Sequence, residues 1–170
     1  MAVLNGIYLV SPHGRWLIDG YKTHVVKKRY FRNMVGLPLV LVEGNEALGV
    51  IKLLEPVEID YEEFVRSFDV HRVTVEEVER WWGDFDVLYL YPVRILVRFP
   101  EPVRVYVPRG VQTFIREVEV PDRLLPERLR KLGYSVKSPV LIKEVMDYGE
   151  FERYFERLKV LLDKLYVLLR

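Results

Sequence analysis

Two apolar runs that meet at a turn set the first limit on this chain. Leu37–Glu43 and Ala47–Leu54 are dense in leucine, valine and isoleucine, and Glu43-Gly44-Asn45-Glu46 between them is a turn signal. Together they predict a β-hairpin, so the fold is built around a sheet. Other short runs add to it. Gly6–Val10 and Lys22–Lys28 read as a strand and as a strand or extended loop. Val87–Phe99 is long and carries Pro92, which cannot donate to a ladder and so predicts a bulge or an edge position. Val103–Val107 and Val111–Val118 follow, parted by the turn Pro108-Arg109-Gly110.

Helices are signalled at their ends. Ser11-Pro12 reads as an N-cap followed by a first-turn proline, opening a helix that closes near Gly20. Asp60-Tyr61-Glu62-Glu63 and Thr74-Val75-Glu76-Glu77 both have capping-box spacing, and the second helix should stop at Gly83 after Trp81-Trp82. Beyond residue 120 the pattern turns helical. Leu125–Leu132 ends at Gly133, Ser138-Pro139 caps a further helix, and a long helix runs over 150–169. Phe151, Phe155, Leu158, Leu162, Leu165 and Leu169 form an a/d seam there, which packs on the body of the protein or pairs two copies as a homodimer. The reading is α+β: residues 1–120 form a β-rich domain with peripheral helices, and 121–170 a C-terminal helical extension.

Composition excludes several chemistries. The 170 residues contain no cysteine, so disulfides, thiolate metal sites and cysteine nucleophiles are out. No Walker loop, Gly-x-Gly-x-x-Gly or Gly-x-Ser-x-Gly occurs. His13 and His71 have no partner at metal-ligand spacing, so no metal is expected, and no cofactor. His71-Arg72 reads as a surface loop pair before the Thr74 cap. No segment has the roughly 18 apolar residues of a membrane span, and the start of the chain lacks a signal-peptide pattern, so a cytoplasmic, membrane-free protein is expected. The heavy use of Arg, Lys and Glu resembles a thermophile composition.

Charge is balanced overall but not along the chain. Arg15, Lys22, Lys27, Lys28, Arg29, Arg32 and Lys52 outnumber the acids of the first 52 residues, while residues 53–80 are strongly acidic. A basic face beside an acidic one suits an oriented anion site. The densest block is Gly20-Tyr21-Lys22-Thr23-His24-Val25-Val26-Lys27-Lys28-Arg29. In an extended segment, alternation sends Lys22, His24 and Val26 to one side and Thr23, Val25 and Lys27 to the other. An ammonium and an imidazole side by side can bind phosphate or move protons, whereas basic residues on an edge strand can simply discourage edge pairing. Trp81, Trp82, Tyr89 and Tyr91 are either a stacking platform for bases or core, and Arg109 in its turn is either a phosphate clamp or an exposed side chain.

The order strand, helix, Gly-x-Lys strand and a hairpin with Gly49-Val50-Ile51 resembles the ASCH family, a branch of the PUA-like superfamily. Of that family's Gly-x-Lys-x-x-Glu-x-Arg signature, Gly20 and Lys22 match, Val25 stands at the glutamate position and Lys27 at the arginine position. The runs Leu88–Val93 and Pro108–Phe114 look like the closing strands of archaeal and phage ASCH-like domains, so the likeness covers about residues 5–120. It implies a small, closed, mixed β-barrel with a basic cleft at its mouth for RNA or a nucleotide. Lys22, Lys27, Arg29 and Arg109 would be anion contacts, and Trp82 and Tyr91 would stack on bases. Some family members are ribonucleases or amidohydrolases on acylated cytidine, in which the lysine works with a hydroxyl residue and, in the amidohydrolases, a glutamate. In that case Lys22 would be catalytic with Thr23 or His24 as its partner. A third expectation is an interaction protein acting through the helix at 150–169.

Overall fold

The computed structural model describes residues 1–130. The expected helices beyond that point, and with them the seam of 150–169, lie outside the described residues.

Among the described residues seven strands form one mixed sheet: β1 (Ala2–Tyr8), β2 (His24–Lys27), β3 (Pro38–Glu43), β4 (Glu46–Leu53), β5 (Val57–Ile59), β6 (Leu88–Arg104) and β7 (Phe114–Val120). The order is β2-β6-β4-β3-β1-β7, with β5 also on β6. Only β1 and β3 run parallel; every other pair is antiparallel. The central hairpin is where the sequence puts it, with Leu39 opposite Ile51 and Gly44 at φ 62° in its turn. Alternate residues of β3 enter different cores. Leu39 and Leu41 pack with Ile51, Leu53, Leu17 and Tyr91, whereas Val40 and Val42 pack with Val50, Ile115 and Val118. Burial on both faces is why this strand reads as a continuous apolar run rather than an alternating one. Leu125 and Leu129 join the second core, so the chain just past β7 still packs on the sheet.

The expected closed barrel is not formed. Closure needs a ladder between the two ends of the strand order, and β2 and β7 do not pair. β2 is four residues long and uses its ladder on Tyr89–Pro92 of β6. Pro92 lies inside a strand of 17 residues, longer than the run of 87–99 that the sequence shows. It marks a change of partner: β5 and β2 pair with residues 88–92, and β4 pairs with 93–104. A missing N–H is tolerated at that changeover. The separate strand expected at 103–107 is the end of β6, followed by irregular chain. Gly49 sits where β4 shifts register against β6, and a Cβ there would strike the carbonyl of Val97.

Before β7, four helices flank the sheet, α1 (His13–Asp19), α2 (Tyr61–Arg66), α3 (Phe68–His71) and α4 (Val75–Trp82), and residues 127–130 at the end of the described residues are helical too. Both predicted capping boxes are present, with Glu63 N–H donating to Asp60 and Glu77 N–H to Thr74. The Ser11 cap is not. Pro12 stands at the N-cap of α1 and offers no side-chain cap, and the buried carboxylate of Glu43 accepts from the Arg15 N–H instead, at 3.1 Å. At its other end Gly20 takes φ 84° and its N–H returns to the carbonyl of Leu17. That left-handed turn reverses the chain into the basic block.

Candidate functional site

A pocket of about 280 Å³ lies between the two unpaired ends of the sheet. Val25, Val26 and Lys27 of β2 line it from one end of the strand order, and Val111, Gln112 and Thr113, which lead into β7, line it from the other. The end of β1 and the loop after it supply Tyr8, Leu9 and Val10, while α4 supplies Trp81 and Trp82. Its volume is just below the ~300–1,000 Å³ usual for drug-sized ligands, and its apolar walls with a few polar groups are typical of small-molecule sites.

At its base three side chains form a hydrogen-bonded chain. Past the Gly20 turn, the Lys22 N–H bonds the carbonyl of Trp16 at 3.1 Å, which folds the residue back against α1. Lys22 Nζ then lies 3.0 Å from His13 Nδ1, and His13 Nε2 lies 2.7 Å from Glu77 Oε2. Lys22 and His13 are each only 2% exposed. An ammonium has no lone pair to offer, so the arrangement suits an imidazole whose Nε2–H donates to Glu77 and whose Nδ1 accepts from Lys22. Trp16 and Trp81 hold the ring edge-on at centroid distances of 5.3 and 5.6 Å. Glu77 is anchored by its other oxygen, which accepts from the Thr74 N–H at 3.0 Å. One carboxylate thus closes a capping box and ends the chain that starts at Lys22.

Burial, then the charge of Lys27, pushes the Lys22 amine down to about 7 against a smaller opposing pull from Glu77. Burial and the charge of Lys22 also lower His13, outweighing its hydrogen bond to Glu77. Burial alone brings Lys27 down to about 8. At Glu77 burial favours the neutral acid, but the bonds from His13 and Thr74 overcome it and the carboxyl is lowered. The result is an amine close to half deprotonated at neutral pH, linked through a neutral imidazole to a carboxylate. Such a group can take a proton from a bound reactant and return it.

The structure brings some of the expected residues together and separates others. Lys22, Lys27 and Trp82 line the pocket. Strand alternation would have parted the two lysines, yet they share it because β2 begins only at His24 and Lys22 belongs to the preceding turn. Thr23 is exposed and bonded to His24 Nδ1 at 2.8 Å, and neither residue lines the pocket. Arg29 and Arg109 are exposed outside it. Tyr91 is fully buried, and its hydroxyl donates to the Arg29 carbonyl at 2.6 Å and accepts from the Phe31 N–H, so no base can stack on it.

Sequence reasoning missed His13 and Thr113 as pocket residues, and Glu77 as the partner of His13. His13 lacks metal-ligand spacing, and Glu77 is already explained by its cap. His71 is no surface residue either. It is fully buried, stacked on Phe64 at 4.5 Å, donates from Nε2 to the Phe64 carbonyl and accepts the Val73 N–H at Nδ1. Burial holds it down at about 4, and it fixes Val73 in the pocket wall. Among the described residues no three His, Asp or Glu side chains converge as a metal site, and no helix is long and apolar enough to cross a membrane.

No protein-family profile matches the sequence, and no curated protein does. Solved structures do match in shape. The ASCH protein of Zymomonas mobilis superposes with a TM-score of 0.55 at 11% identity, covering 75% of this chain and 90% of that one. Its serine-to-alanine variant gives the same score and identity over 75% and 91%. A tyrosine-to-phenylalanine variant gives 0.50 at 12% identity over 59% and 74%. At such identities the likeness establishes architecture alone, and on it this chain has an ASCH-like fold.

Proposed function

We propose that this protein is a hydrolase acting on a nucleobase-containing substrate held in the pocket, with Lys22 as its acid–base group and an amide of the N-acylated cytidine kind as the bond cleaved. The observation that carries this reading is the chain Lys22–His13–Glu77. The glutamate missing from position 25 is supplied by α4, from a residue distant in sequence. Trp81 and Trp82 provide apolar faces for a planar ring, and Gln112 and Thr113 provide polar groups opposite β2. In the reaction a water attacks the acyl carbon while its proton passes to neutral Lys22. The tetrahedral adduct then collapses, the C–N bond breaks, and Lys22 returns the proton to the departing amine. A carboxylic acid and a free amine result. His13 and Glu77 position the amine and stabilise it while it is charged.

The test is turnover of an N-acylated cytidine by the parent, Lys22→Met and Lys22→Arg. Both variants should lose at least a hundredfold in kcat/KM, since a guanidinium does not give up its proton near neutral pH. Full activity in Lys22→Arg would remove Lys22 as the base.

A second reading, RNA or nucleotide binding without turnover, is favoured by the exposed Lys28 and Arg29, which continue the basic run from the pocket to the surface. It holds if the parent hydrolyses no acylated nucleoside, binds RNA with a steep salt dependence, and loses that binding in the Lys28→Ala, Arg29→Ala double variant at unchanged Tm.

A further inference from the structure

Lys27 is the one basic side chain in the pocket lining that the chemistry above leaves unused. It ends β2, is 7% exposed and lines the pocket. Of the three lysines in the basic run, Lys22 bonds His13 and Lys28 reaches the carbonyl of Trp82, at 3.4 Å. The Lys27 side chain has no ion pair or hydrogen bond among the described residues. The carboxylate of the site, Glu77, is held by His13 and Thr74 and accounts for no part of the Lys27 environment.

A buried charge without a partner is costly, and folded proteins pair such groups or replace them with apolar ones. A leucine or methionine would fill the end of β2 at less cost, so the ammonium calls for a compensating charge from beyond the described residues. The side chain lines the pocket, which opens a way to it for a ligand. Val26 and Trp82, which pack in one apolar cluster, line the same pocket and offer it an apolar face. That is a site for a ring that carries an anion.

We propose that Lys27 is an anion subsite of this pocket, and that the ligand is a nucleotide whose phosphate monoester meets the Lys27 ammonium while its base lies along Trp82. The choice of a nucleotide over other phosphorylated rings rests on the reading of the pocket as a nucleobase site; the anion subsite rests on Lys27 alone. Lysine binds phosphate as a point charge, without the geometric demand of a bidentate guanidinium. With burial holding it at about 8, Lys27 is largely protonated at neutral pH and ready to receive the anion.

Intrinsic tryptophan fluorescence of the full chain, titrated with cytidine, cytidine 5′-monophosphate and inorganic phosphate, tests this in the parent, Lys27→Met and Lys27→Gln. The parent should bind the monophosphate at least tenfold more tightly than the nucleoside, and inorganic phosphate should displace the nucleotide. In both variants the ratio should fall to about one with nucleoside affinity unchanged, and Tm should not drop, because an unpaired buried charge has been removed. A ratio near one in the parent, a ratio that survives in both variants, or equal losses for nucleoside and nucleotide overturns the subsite. So does a large fall in Tm in both variants, which makes Lys27 structural. Lys27-dependent binding of inorganic phosphate with no binding of nucleoside or nucleotide would uphold the subsite and end the nucleobase reading. No binding of any of the three would end both.

Discussion

Glu77 does two jobs with its two oxygens, and only one of them shows in the sequence. Thr74-x-x-Glu77 announces a helix start; nothing in that spacing announces the bond to His13, which bridges 64 positions along the chain. His13 was hidden for a similar reason. A lone histidine beside a proline gives no sign that two tryptophans and a lysine will enclose it. Lys22, Lys27 and Trp82 were legible because a dense basic run and a tryptophan pair stand out, whereas the side of β2 they face depended on a strand boundary two residues past Lys22. The dual role of Glu77 can be tested by charge removal. Because its carboxylate raises the Lys22 amine, Glu77→Gln should lower that amine further. In a hydrolase that needs neutral Lys22, activity rises with pH through the amine's midpoint. The acid limb of the kcat/KM profile should therefore move to lower pH in Glu77→Gln. A limb that moves up or stays in place would mean that Glu77 does not act on Lys22.

At the scale of elements, local signals were sufficient wherever an element is specified by its own ends. Both capping boxes and the β3–β4 hairpin formed as read, since turn and cap chemistry involve residues three or four apart. α1 was located correctly but for a partly wrong reason, because Glu43, from a strand far along the chain, does the capping assigned to Ser11. The two boxes give a matched pair of variants. Asp60→Ala and Thr74→Ala should each cost about 1 kcal/mol of stability, the usual loss for an N-cap. Thr74→Ala should also impair turnover, because the Thr74 hydroxyl bonds Glu77 and the cap holds α4 in register with His13. Asp60→Ala should leave turnover at the parent's level. Equal kinetic effects in the two variants, with chemical denaturation as the control for folding, would contradict the link between cap and site.

For the molecule as a whole, the class α+β, the sheet-centred fold and the flanking helices were readable, and the closed barrel was not what formed. Whether β2 and β7 share a ladder is a matter of tertiary geometry between distant segments, and no local pattern encodes it. The gap they leave is the pocket. Burial of its basic groups also makes stability depend on pH as a global property. Lys22 and Lys27, held at about 7 and 8, titrate near 10.4 when unfolded. Between those limits the unfolded chain binds more protons, so stability rises with pH. His71, held at about 4 against an unfolded value near 6.5, acts the same way at lower pH. Burial raises Tyr91 to about 12, so above pH 10 the folded chain is the one that keeps a proton and stability falls. Tm followed by calorimetry should climb from pH 5 to about 9 and turn down beyond 10. In the Lys22→Met, Lys27→Met double variant the rise between pH 7 and 9 should flatten, and a parent profile already flat over that range would refute the burial of both amines.

The account depends most on Lys22 being an amine poised near neutrality by its place against His13. Its titration can be followed directly by NMR of the side-chain Cε and Nζ resonances, with Lys27→Met used to assign the two buried lysines. The structure predicts a Lys22 midpoint near 7. A midpoint near 10.4, the value of a lysine in water, would show that the amine is solvated and unpoised, and the proposed chemistry would fall with it.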